Sequence, residues 1–158
     1  MSLEFALSLA FGIGVVAGLR SLTAPAIVAW AAHVGWINLH SSPLSFMGSF
    51  WSVAIFTALA LVEWVADQLP STPSRTAPVG LSARILTGAL TGACLALAAA
   101  APLWAGALFG GIGGIAGAFA GHSARVGLVR VLHVRDLAIA IPEDCIAIGL
   151  GLLLVSRF

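Results

Sequence analysis

The sequence predicts an all-α membrane protein, a polytopic bundle of five transmembrane helices, or six if one short segment also crosses. Three observations carry that prediction. Charged residues make up 8% of the 158 residues and hydrophobic ones 60%, with a mean hydropathy of +1.08, whereas a soluble domain carries about 25% charged residues. So few charges would not cover the surface of a soluble globule, which makes lipid the expected solvent. The apolar residues also run in blocks close to the roughly 20 residues needed to cross a hydrocarbon core of about 30 Å. Within those blocks glycine recurs at helical spacing, as it does where membrane helices pack closely. The length suits a single transmembrane domain spanning residues 1–158.

Residues 3–19 are apolar apart from Glu4 and Ser8 and contain Gly12, Gly14 and Gly18. No basic leader or small-residue cleavage pattern marks them as a signal peptide, so they read as the first span. Arg20-Ser21 ends it. Residues 22–35 are apolar again but short and contain Pro25, which favours a re-entrant or interfacial helix over a tilted span. Trp30, Trp36 and Trp51 bracket the polar loop from Asn38 to Ser45, as aromatic residues do at a membrane surface.

Residues 46–69 form the second span, with Glu63 and Asp67 near its end. Pro70, Pro73 and Pro78 make the following segment a turn. Residues 81–100 are the third span, and Ala101-Pro102 breaks it from the fourth, residues 103–121. That fourth span carries Gly106-Gly110-Gly114 and Gly113-Gly117-Gly121, two grooves for neighbouring helices. They suggest tight packing and support for a homo-oligomer, by default a homodimer. Residues 122–136 hold Arg125, Arg130 and Arg135 and read as a short amphipathic helix or a surface loop. Residues 137–156 are the last span, interrupted early by Pro142-Glu143-Asp144.

Five of the seven arginines lie in or beside the loops around Arg75 to Arg84 and Arg125 to Arg135. The positive-inside rule puts those loops in the cytoplasm. A five-span path then starts with a cytoplasmic N-terminus in the bacterial inner membrane. An internal echo is also visible: Gly12 to Gly18 resembles Gly111 to Gly117, and each leads through a polar break to a span bearing acids. In a five-span path the two copies would be related as an inverted repeat, an arrangement found in many transporters.

The polar residues bound the function. A net charge of +1 excludes a nucleic-acid partner held by clustered cations, leaving membrane lipid as the main one. Cys94 and Cys145 read as small buried hydrophobes, and His33, His40, His122 and His133 lack metal-ligand spacing. Ser71, Thr72, Ser74 and Thr76 have no accompanying base, so an enzyme is not expected. Glu63 and Asp67, four residues apart, share a helical face. Glu63 lies about 10 Å along the helix from Pro70, at about 1.5 Å per residue. Glu143 and Asp144 enter the membrane from the same side. Buried carboxylates must be protonated, paired or bound to a cation, and Arg20, Arg75 and Arg84 are the candidate partners. Two functions fit. The first is a small transporter or channel for a cation or small polar solute, with Glu63, Asp67, Glu143 and Asp144 as its site and the arginines as partners or gate. A bound cation would be its only cofactor. The second is a non-transporting scaffold or lipid-binding module in which the same charges form a structural lock.

Gly18-Leu19-Arg20-Ser21 with Pro25, the segment Glu63 to Thr76 followed by Arg84, and Glu143-Asp144 leading to Gly149-Leu150-Gly151 resemble a family of small bacterial integral-membrane proteins, domain of unknown function 4126. Leu69 to Thr76 is the most specific part of the likeness, which covers nearly the whole chain. The resemblance implies a helical inner-membrane protein. It brings no activity, so no catalytic or binding residue is carried over from it.

Overall fold

A computed structural model describes residues 1–67, 77–132 and 136–158, with the backbone alone over 136–139. Among the described residues the chain is all helix: α1 (Leu3–Leu19), α2 (Thr23–His33), a 3-10 turn (Ser45–Gly48), α3 (Phe50–Ala66), α4 (Pro78–Ala98), α5 (Leu103–Leu132) and α6 (Asp136–Val155). Local chemistry sets the ends. The Ser2 and Ser49 hydroxyl oxygens accept from the amides of Phe5 and Ser52 to start α1 and α3. Pro78 opens α4, where its missing N–H costs nothing. Ala100 closes α4 in the left-handed region (φ 57°), with the Ala100 and Ala101 amides returning to the Leu97 and Ala96 carbonyls.

Glycine contacts fix the helix directions. Gly14 and Gly18 of α1 face Gly110 and Gly114 of α5, so these two helices are parallel. Gly88 and Gly92 of α4 face Gly110 and Gly106, so α4 runs against both. On α6, Leu154 meets Gly12 and Gly151 meets Val16, which sets α6 antiparallel to α1. Trp30 reaches Thr57 while Leu22 reaches Glu63, so α2 and α3 form an antiparallel hairpin. The six helices therefore alternate in direction. This corrects two expectations. The parallel course of α1 and α5 rules out inversion between the two glycine-rich segments. It also sets Leu3 at the end of the bundle away from Arg84, whereas the five-span path put the N-terminus beside the arginine-rich loops.

The glycine faces are filled within the chain. Gly106, Gly110 and Gly114 receive α4, while Gly113 and Gly117 receive α1. A Cβ at Gly14, Gly110 or Gly117 would overlap the backbone of a neighbouring helix, and this is why small residues occupy those positions.

The short helix α2 lies in the core. Eight of its residues, Pro25 among them, are buried, and Ile27 and Val28 pack with Ile13, Val16, Met47 and Leu95. That burial sets α2 inside the bundle, among the other helices. Pro25 stands in the first turn, where it starts the helix and does not break it. Residues 122–132 are not a separate surface helix either, because they continue α5 without interruption.

Two helices, Pro78–Ala98 and Leu103–Leu132, are long and apolar enough to cross a membrane, while α1 and α3 are apolar but shorter. The outer face of α3 exposes Phe50, Trp51, Ile55, Val62 and Val65, a contiguous apolar surface that suits lipid better than water.

Candidate functional site

Three residues between α1 and α2, Arg20-Ser21-Leu22, organise the polar chemistry. The chain turns there because Arg20 leaves the helix in an extended conformation (φ −141°, ψ 108°). Two opposed helix ends result, the C-terminus of α1 and the N-terminus of α2, both inside the bundle. Each end leaves backbone groups without helical partners, and each is met by a charge from another helix.

Glu63 of α3 serves the start of α2, which has no side-chain cap of its own. Its Oε1 accepts from the Ser21 amide (2.9 Å) and hydroxyl (2.6 Å), and its Oε2 accepts from the Leu22 amide (2.9 Å). A carboxylate there also faces the positive end of the helix dipole. Arg84 of α4 serves the end of α1. Its Nε donates to the Gly18 carbonyl (3.1 Å) and its Nη1 to the Gly80 carbonyl (2.9 Å), and the side chain is buried.

Arg20 itself, 3% exposed, is divided between two carboxylates. Nη1 donates to Asp67 Oδ2 at 2.8 Å, while Nε and Nη2 both approach Asp144 Oδ1. Asp144 Oδ2 is buried and has no hydrogen-bond partner among the described residues. A buried acceptor left unmade costs about 1–3 kcal/mol, and more when charged.

Asp144 and Arg20 close the polar end of a cavity of about 460 Å³ between α2, α3 and α6. Each helix lines it with one face at i, i+3, i+4, i+7 spacing: Thr23 to Trp30, Thr57 to Trp64, and Ile141 to Ile148. The walls are apolar apart from Thr23 and Thr57, and the Thr57 hydroxyl accepts from Trp30 Nε1 at 3.1 Å. Cys145 lines the same space as an exposed free thiol.

The structure thus brings Glu63, Asp67 and Asp144 to the Arg20–Leu22 segment. Glu143 goes elsewhere, 3.6 Å from Arg125 of α5 beside a second cavity of about 210 Å³. Consecutive helical residues point about 100° apart, and here Glu143 turns toward Arg125 while Asp144 turns toward Arg20. Arg84 donates to the Gly18 and Gly80 backbone carbonyls. Arg75, with Pro70, Pro73, Ser71, Thr72, Ser74, Thr76, His133 and Arg135, lies outside the described residues. Sequence reasoning missed Ser21 as a donor, Arg125 as a partner, and the cavity walls. Among the described residues no three His, Cys, Asp or Glu side chains converge as metal ligands.

A family model described as Domain of unknown function (DUF4126) matches residues 7–156, nearly the whole chain. The chain belongs to that family. No curated protein and no solved structure matches it.

Proposed function

We propose that this member of the family is a six-span inner-membrane transporter that binds a cationic or small polar solute at the Arg20–Asp144 end of its larger cavity. The observation that carries the reading is the buried Asp144 Oδ2, an anionic acceptor without a partner among the described residues, beside a solute-sized space. Helices broken inside a bundle, with polar groups gathered at the break, are a recurrent way to build a solute site in membranes. The chain acts by binding and movement, without catalytic chemistry.

The scaffold reading is favoured at other residues. Glu63 has both oxygens bonded and Arg84 is occupied by helix carbonyls, so these two hold the fold while Asp144 serves the solute. Six alternating spans also revise the orientation. Arg20, Arg84 and Arg125 gather at one end, which the positive-inside rule makes cytoplasmic. Exposed Trp36, Trp51 and Trp104 ring the other end, where both termini emerge.

The test compares Asp144→Asn with Glu63→Gln in purified protein. Asp144→Asn keeps a side-chain oxygen for Arg20, whose charge stays paired with Asp67, so this variant should still fold, with a lowered Tm, while losing stabilisation by solute and losing flux in proteoliposomes. Glu63→Gln turns an NH2 group toward the Leu22 amide, so this variant should lose about 1–3 kcal/mol of stability. If Asp144→Asn transports normally, the site reading fails.

A further inference from the structure

We infer that the solute of the larger cavity is an organic ammonium ion with an apolar, ring-sized body, its N–H donors meeting Asp144. The inference rests on the transporter reading above and narrows its substrate class. Four features of the cavity point to it.

The first is size. About 460 Å³ lies within the range of small-molecule pockets and far exceeds a single ion. The second is the arrangement of carboxylates. Hard cations need roughly six or more oxygen ligands, but here the acids are kept apart. Asp67 and Asp144 take different nitrogens of Arg20, Glu63 holds the start of α2, and Glu143 pairs with Arg125. A bare metal ion would find one carboxylate and walls that are hydrocarbon apart from Thr23 and Thr57.

The third is the state of the guanidinium. Arg20 has both faces of its fork on carboxylates, so an anionic headgroup entering this end would meet Asp144 before it met a free donor. A cationic donor meets the opposite situation. A carboxylate accepts about four hydrogen bonds; Asp144 lines the cavity, and its Oδ2 is buried with no partner among the described residues, so a donor reaches it by a small turn of the carboxylate. The fourth is the wall itself. Trp30 and Trp64 line the cavity on opposite helices, with Ile27, Leu61 and Ile148 between them. Indole faces attract cations as well as burying apolar bodies, so the lining accommodates both parts of such a molecule.

The native thiol gives a readout independent of transport. Cys145 lines the cavity and is exposed, whereas Cys94 is buried, so maleimide labelling of the folded protein reports on Cys145. The probes are 2-phenylethylammonium chloride, 2-phenylethanol, sodium phenylacetate and potassium chloride, tested for protection of Cys145 and for a concentration-dependent rise in Tm. The ammonium should slow labelling several-fold and raise Tm, and the alcohol and the carboxylate should do neither. Asp144→Asn should abolish both effects. Ala60→Trp, which adds bulk to the cavity wall on α3, should abolish the Tm response in a protein that still folds. Equal protection by the alcohol or the carboxylate overturns the inferred class and leaves a solute site of another chemistry. Protection by an inorganic cation and not by the ammonium does the same. If no probe protects and Asp144→Asn only lowers Tm, the class and the transporter reading fall together.

Discussion

At the scale of single residues, the site consists of polar groups that are satisfied across helices. Arg20 is the centre: buried at 3% exposure, it holds Asp67 and Asp144 together across three elements. Removing one partner of a buried ion pair costs about 3–5 kcal/mol, because the other charge is left in a poor solvent. Arg20→Met should therefore destabilise the protein strongly, and adding Asp144→Asn should restore part of the loss. A double-mutant cycle read by chemical unfolding in detergent checks this, and strictly additive losses would show that Arg20 and Asp144 are not coupled. The sequence made much of this legible. Arg20, Glu63, Asp67 and Asp144 stand out because any charge within an apolar block needs a partner. The pairing was not legible, because a guanidinium reaches several neighbours and only packing decides which.

At the scale of helices, glycine spacing was the readable signal and its destination was not. The i, i+4 runs in α5 announce smooth faces, yet the same runs would serve a second copy of the chain as well as α1 and α4. The structure seats α1 against Gly113 and Gly117 and α4 against Gly106, Gly110 and Gly114. A side chain at Gly110 would meet the backbone of α4, and Gly14 of α1 packs on the same residue. Gly110→Val should thus abolish the folded state, costing more than the roughly 1–3 kcal/mol of ordinary overpacking, and should give aggregate in size-exclusion chromatography. A clean shift from dimer to monomer would instead mean that this face joins two copies. The short helix α2 teaches a complementary lesson. Its length and Pro25 suggested an element too weak to cross, but length alone says nothing of burial. Eight of its eleven residues are buried, and so are Ile37, Leu39 and Met47 beyond it.

At the scale of the whole molecule, direction follows from parity. Each helix that joins the bundle reverses the chain, so counting residues 22–35 in or out moves the N-terminus across the membrane. The composition could not settle that count, because an 11-residue helix is too short to register as a span. Side-chain contacts do settle the alternation, and in the proposed orientation the arginine end faces the cytoplasm. In intact cells a membrane-impermeant maleimide should then label Ser2→Cys, placed in a background carrying Cys94→Ser and Cys145→Ser. Arg130→Cys, near the end of α5, should react only after the membrane is opened. A five-span chain would show the reverse at Ser2 while leaving Phe158 outside, so the N-terminus is the position that discriminates. The same orientation gives the cavity its meaning. Arg20, Asp67 and Asp144 lie at the arginine-rich end, so a solute held by Asp144 sits near the cytoplasmic surface with the apolar length of the groove between it and the other side. Movement across the membrane would then require α3 or α6 to shift against α2, the buried helix on which both pack.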